Sequence, residues 1–410
     1  MLSVSLKKST LAAMLLLLPL AGRAMEAAMS AEGSLYAVTG WDPNRRAEDN
    51  FKGSGGEFSL YLTPILGWHD SRFLLTPAYD IDYSGTNTVL KVDDEVFIYS
   101  HRLTNTLELG GAYKTPSQNR YGLKIFYEGF NGTQSVDEHL GYGQYDYQDA
   151  GIKLSWTKKT EAKSAYSVGV SAYQRKFPNY VSLDPGQRHD KDSQNTKLYA
   201  DADIKWQGRY PFMTLLSWSI QDEKFTEALI VDDSGTTNTA ADGSGTLRRD
   251  LVNTLSLSLP WEAGQSRWSI GYSLELRSSN YNYLDSQQNV YMANYNDYAE
   301  HGLHLSGAYD FSSAWWVLKS PEISLDADFT YRLYKSRLAK TADGTYDLLP
   351  PLEIDNRYEA RLGFNSPITD HWAFNTSIDW MGLYSNNLDQ STSLVNYKFY
   401  TFRIGGQFNY

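Results

Sequence analysis

Residues 400–410 read Tyr400-Thr401-Phe402-Arg403-Ile404-Gly405-Gly406-Gln407-Phe408-Asn409-Tyr410. Tyr400, Phe402, Ile404, Gly406, Phe408 and Tyr410 alternate with Thr401, Arg403, Gly405, Gln407 and Asn409, so one side is apolar or small and the other polar. A strand sends successive side chains to opposite faces, and here the two faces suit two different media. The same alternation recurs near 34–41, 57–67, 71–83, 96–112, 120–130, 145–157, 164–175, 194–206, 212–222, 248–260, 266–281, 298–310, 321–335, 355–365, 370–384 and 396–410. In Lys197–Trp206, Leu198, Ala200, Ala202, Ile204 and Trp206 alternate with Lys197, Tyr199, Asp201, Asp203 and Lys205. Ile323, Leu325, Ala327, Phe329, Tyr331 and Leu333 alternate in the same way with Ser324, Asp326, Asp328, Thr330 and Arg332.

The beginning of the chain has a different character. Lys7 and Lys8 precede an apolar stretch from Leu11 to Leu20, and Gly22-Arg23-Ala24 makes a small-x-small cleavage site, the layout of a secretory signal peptide over residues 1–24. The apolar stretch is half the roughly 20 residues that a membrane-spanning helix needs. No Cys follows Ala21-Gly22, which excludes a lipoprotein anchor. Cleavage after Ala24 removes three cations, Lys7, Lys8 and Arg23, and takes the net charge from −11 to −14.

Composition removes several function classes. So acidic a chain is not built to bind nucleic acid, because that binding runs on Lys and Arg neutralising phosphates. The absence of cysteine excludes disulfides and thiolate metal sites. Tyr occurs 31 times and Trp 11, yet mean hydropathy is only −0.47 and no long apolar run follows the leader. That excludes a helical membrane protein and suits a barrel whose inner half is polar.

Two-faced strands behind a secretory leader, ending on an aromatic residue, resemble the β-barrels of the Gram-negative outer membrane, porin-like in architecture. The last strand of those proteins usually ends in Phe, and Tyr410 departs from that usage. The connections agree with the resemblance. Short ones at 67–72, 206–210, 261–266 and 366–370 alternate with long polar ones near 41–56, 131–144, 176–193, 223–247, 282–297, 336–354 and 385–395. The implied fold is all-β: a transmembrane antiparallel barrel of about 16 strands, within a range of roughly 14 to 18, with short periplasmic turns and long extracellular loops. It is expected over 34–410, after a short periplasmic segment at 25–33. Phe402, Ile404, Phe408 and Tyr410 are then the insertion signal for the barrel-assembly machinery, and the partners are outer-membrane lipid and lipopolysaccharide.

The apolar set must face lipid, because a charge there costs up to about 2–4 kcal/mol at mid-bilayer. The lumen is accordingly assigned Lys153, Arg175, Asp201, Asp203, Lys205, Glu275, Arg277, Asp326, Asp328, Arg332, Arg357, Glu359, Arg361 and Arg403, with Asp149 and Asp379 beside them. Two readings of this face stand: a water-filled pore of weak charge preference, or an interior closed by ion pairs. Trp156, Trp206, Trp261, Trp268 and Trp372 lie near short connections, as an interfacial aromatic belt requires.

Tyr283, Tyr291 and Tyr295, among Asn residues, offer stacking platforms for a sugar ring, with an upper aromatic belt as the alternative account. Asp190–Asp192 and Asp232–Asp233 are oxygen-ligand clusters without the spacing of a calcium loop, and read more simply as solvated loop charge. Catalysis finds little support, and the outer-membrane lipases and proteases use smaller barrels than the one counted here. His301 and His304 fall on opposite strand faces, and no Gly-x-Ser-x-Gly, His-Glu-x-x-His or phosphate-cradling loop occurs. No cofactor is expected. The functional expectation is a passive channel for small polar solutes or ions, with a polysaccharide export or assembly barrel, or a blocked structural or adhesive barrel, as alternatives.

Overall fold

Antiparallel pairing runs unbroken from the first strand to the last, and the last pairs back onto the first. The strands are β1 (Met25–Trp41), β2 (Lys52–Trp68), β3 (Phe73–Val92), β4 (Glu95–Lys114), β5 (Asn119–Thr133), β6 (Tyr147–Lys159), β7 (Ala165–Lys176), β8 (Ser193–Trp206) and β9 (Phe212–Leu229). They continue with β10 (Leu247–Ala263), β11 (Ser266–Ser279), β12 (Tyr283–Asp285), β13 (Val290–Met292), β14 (Tyr298–Asp310), β15 (Glu322–Leu338), β16 (Leu352–Pro367), β17 (Trp372–Ser385) and β18 (Tyr397–Asn409). β12 and β13 form a hairpin of their own, and the remaining sixteen close into one barrel. This computed structural model describes residues 25–41, 52–68, 72–92, 95–133, 141–143, 145–161, 163–180, 191–206, 212–234, 236, 246–285, 288–312, 319–346, 351–388 and 397–410. Residues 1–24, where a leader is expected, and Asp190 lie outside them.

Register makes two continuous bands from the alternation. Leu325, Leu362, Ile378 and Phe402 stand opposite one another across β15–β18, while Asp326, Arg361, Asp379 and Thr401 form the adjoining row on the other face. The outward band is exposed and apolar around the circumference, including Leu123, Ile152, Leu198, Ile270, Leu303, Leu362, Ile378 and Ile404. So wide an apolar belt on the outside of a closed barrel is a surface made for lipid. At the short-turn end it finishes in aromatics: Trp261 opposes Trp268, the Trp206 ring stacks 5.6 Å from Phe212, and Trp372 lies 5.0 Å from Phe408.

The seam demands close approach. Ala31 and Tyr410 exchange two backbone hydrogen bonds of 3.0 and 2.8 Å, and the ladder then runs from Glu32–Asn409 to Trp41–Tyr400. At Gly405 a Cβ would fall 2.0 Å from the Leu35 carbonyl oxygen, so only glycine fits. In the tight turn between β10 and β11, Gly264 takes a φ of 62°, which glycine adopts without strain.

Two expectations need correction. Residues 25–33 are not a separate periplasmic segment but the first half of β1, paired with β2 from Met25–Trp68 onward. Met25, Ala27, Met29, Ala31 and Gly33 alternate with Glu26, Ala28, Ser30 and Glu32, a pattern of mostly small residues that runs in phase into Leu35 and Ala37. A further long-loop-end connection joins β3 to β4, which rise as a long hairpin and pair as far as Val92–Glu95.

Candidate functional site

The barrel's inner face is the candidate site. Strand parity puts every residue assigned to the lumen on that face, but the structure gives them three different environments.

Across β14–β18 the charges form a chain along the wall. Arg332 donates to Glu300 at 2.7 Å, Arg357 pairs with Glu359, and Arg361 pairs with Asp379. Arg403 holds Asp379 as well and reaches Glu57 at 3.0 Å across β1. His304 lies 2.8 Å from Asp328. Cavities of about 500 and 460 Å³ open onto this wall.

Near the long-loop ends of β6–β11 the charges are packed in. Arg175 makes a two-pronged contact with Asp149, at 2.9 and 2.7 Å, and lies over the Tyr147 ring at 4.2 Å. Arg277 joins Arg248 on the fully buried Asp250. Arg175 and Arg277 are thus parts of the wall near its rim. Glu275 accepts the Tyr298 hydroxyl at 2.5 Å. Asp203 and Lys205 stand at the short-turn end of β8, beyond Asp201, which accepts the Ser217 hydroxyl at 2.7 Å.

Every ion pair among the described barrel residues lies within a strand, between neighbouring strands, or across one intervening strand. None crosses the lumen. Lumen-face charges also keep contact with solvent: the side chains of Arg357, Arg361 and Asp328 are 56, 53 and 51 % exposed.

At the long-loop end, the β12–β13 hairpin is fastened to the end of β15 and the β15–β16 connection. Asp285 pairs with Lys340 at 2.8 Å, Gln288 accepts the Tyr346 N–H at 3.1 Å, and the Met292 sulfur accepts the Leu338 N–H at 3.4 Å. The structure brings Tyr283 and Tyr295 together, centroids 4.8 Å apart, but Tyr291 pairs with Leu284 on the hairpin's other face. Arg337 covers the Tyr295 ring at 4.2 Å and the Tyr334 ring at 3.9 Å. Burial, partly offset by Arg337, pushes the Tyr295 hydroxyl up to about 12. The three tyrosines therefore do not form one platform. The loop acids serve turns: Asp192 accepts the Phe177 N–H at 2.7 Å. Asp232 accepts from the Ser234 hydroxyl at 2.6 Å and from the Thr236 N–H at 3.0 Å, bonds that hold its carboxyl below the usual range.

Sequence reasoning missed Glu57, Glu108, Lys114, Arg120, Lys124, Lys159 and Asp250, all on the inner face. Parity within β5 (Arg120, Gly122, Lys124) carried a signal for two of them.

Neither protein-family models nor curated proteins match the chain. Solved structures do. OprB of Pseudomonas putida is 12 % identical over 94 % of each chain, with a TM-score of 0.50. OccAB1 of Acinetobacter baumannii is 12 % identical over 92 % of this chain and 96 % of its own, at 0.45. A bacterial polysaccharide outer-membrane secretin is 10 % identical over 93 and 98 %, at 0.43. These likenesses concern the fold. A closed sixteen-strand barrel with an apolar belt, aromatic border and charged lining is an integral β-barrel of the Gram-negative outer membrane. In barrels of this architecture the short turns face the periplasm and the long loops the exterior, and the two ends of this barrel are named accordingly.

Proposed function

We propose that the barrel is a passive channel for small polar solutes or ions. The observation that carries this reading is the half-exposed state of Arg357, Arg361 and Asp328 on the inner wall, with ion pairs that run along the wall. A barrel of about 16 strands leaves an aqueous channel unless something fills it. Lipid and lipopolysaccharide surround the belt, and the barrel-assembly machinery inserts it through the Phe402–Tyr410 strand.

The test is conductance. Purified, heat-modifiable protein added to a planar bilayer is expected to give discrete ohmic steps. Folded protein that leaves the bilayer at the conductance of bare lipid would mean a blocked structural barrel.

Cysteine labelling checks the faces separately. Cysteine at Asp201, Asp328 or Arg361 is expected to react with a small water-soluble thiol reagent, and cysteine at Ala202, Ala327 or Leu362 to stay unmodified. The opposite pattern would mean a register wrong by one residue, which exchanges the two faces throughout.

A further inference from the structure

On the periplasmic half of the inner wall, β3–β8 enclose a cavity of about 620 Å³ that gathers Lys114, Arg120, Lys124, Lys153 and Lys159. Its lining holds one carboxylate, Asp201, which is engaged by Ser217. The floor is low because Gly110 and Gly122 sit there, where a Cβ would meet Thr76 Oγ1 or Ser155 Oγ at 2.5 Å.

The arrangement of cations is unusual for a sheet. Lys114 stands directly opposite Arg120, and Lys124 directly opposite Lys153. Like charges in that relation repel and destabilise the pairing. Elsewhere in the lumen such pairs are compensated: Glu275 faces Glu300, but Arg332 holds Glu300; Asp328 faces Glu359, but Arg357 holds Glu359. In the recess, Lys124 has Glu108 at 2.6 Å, and Lys153 lies over the Tyr199 ring at 4.4 Å. Among the described residues no carboxylate forms an ion pair with Lys114, Arg120, Lys153 or Lys159. Four of the five cations thus have no ion-pair partner among the described residues of the wall.

We infer that this recess is a binding subsite for a small solute bearing two or more anionic groups, entered from the lumen. The solute's negative groups bridge the Lys114/Arg120 row and the Lys124/Lys153 row, and supply the charge the sheet lacks. The Thr76, Ser155, Thr157 and Ser167 hydroxyls on the lining suit the remaining acceptor oxygens. A cavity of this size is in the range of about 300–1,000 Å³ that holds ligands of drug or disaccharide size. The inference deepens the channel reading by naming a solute class, and it rests on that reading only for the passage of the solute, not for its binding.

Isothermal titration of the folded, detergent-solubilised barrel tests it, with inorganic phosphate, tripolyphosphate and citrate as probes. At low salt, tripolyphosphate or citrate is expected to bind once per barrel, at least about tenfold more tightly than phosphate. Arg120→Gln with Lys153→Gln is expected to weaken that binding at least about tenfold, and Lys159→Gln, at a strand end, to weaken it about threefold. Lys224→Gln with Lys335→Gln, an equal loss of charge at the extracellular end, is expected to change it less than about twofold. Tighter binding of tripolyphosphate than of citrate identifies phosphorylated solutes, and the reverse order carboxylates. Absence of saturable binding, or an equal loss in the extracellular control, overturns the subsite. Conductance of the same preparations separates the two ideas: a barrel that conducts without binding loses only the subsite, and one that binds without conducting loses only the channel.

Discussion

Deleting Phe408, Asn409 and Tyr410 is expected to leave the protein in the periplasm as protease-sensitive material with no heat-modifiable form. The three residues make the periplasmic end of the seam. Tyr410 exchanges both backbone bonds with Ala31, Asn409 donates to the His371 carbonyl at 2.9 Å, and Phe408 pairs with Gly33 on one side and Trp372 on the other. Without them β1 and β17 each face an unpaired edge where the barrel must close. A lipid-exposed edge is not tolerated, since each unsatisfied backbone group in hydrocarbon costs several kcal/mol. Tyr410→Phe keeps the ring and the backbone bonds and is expected to assemble normally. Fractionation with and without heating before electrophoresis reads both variants, and wild-type amounts of heat-modifiable truncated protein in the outer membrane would falsify the assignment of this strand as the insertion signal.

The strands were legible because each carries its own two-medium alternation, as in Leu198–Trp206 or Ile323–Leu333, and needs no knowledge of its neighbours. In β1 the reading from Ser34 onward left out a signal that was present, since Met25, Ala27, Met29 and Ala31 already alternate with Glu26, Ser30 and Glu32 and pair with β2. The face of each lumen residue was legible for the same reason, but its surroundings were not. Arg361 and Arg277 have the same parity signal. Yet one stands half exposed beside Asp379, and the other packs against buried Asp250. That difference depends on height along the barrel and on which strand lies alongside. The balance of signs likewise says nothing of where the charges stand. Counted along the chain, lumen acids and bases are similar in number and imply weak selectivity. In the sheet they are sorted, with uncompensated lysines and an arginine near the periplasmic ends of β4–β6 and compensated pairs across β14–β18. The tyrosines failed as a platform because Tyr291 stands one position from Met292, the residue opposite Tyr283, and a one-residue step reverses the face; Arg337 also covers the Tyr295 ring.

Asp250→Ala is expected to cost about 3–5 kcal/mol of unfolding free energy, the range for removing one partner of a buried ion pair. The Asp250 side chain is fully buried, accepts from Arg248 Nη2 at 2.6 Å and Nε at 3.2 Å, and also holds Arg277 and the Ser279 hydroxyl. Its loss leaves two guanidinium groups facing one another. Glu223, 3.8 Å from Arg277, is the carboxylate left nearby, and Arg277 Nε already lacks a partner. The neighbouring Arg249–Asp222 contact serves as the comparison. It is two-pronged, at 2.6 and 2.9 Å, but Arg249 is exposed, so Asp222→Ala is expected to cost far less than Asp250→Ala. Combining Asp250→Leu with Arg277→Met removes both charges and is expected to recover much of the loss. Urea titration of the barrel in one lipid or detergent, followed by tryptophan fluorescence, measures all of these. A loss under about 1 kcal/mol for Asp250→Ala would show that water reaches the network and that this part of the rim is open. Because Asp250 is enclosed in the wall, the channel formed by the surviving folded fraction is expected to keep its conductance, which separates a support of the mouth from a residue of the conducting path.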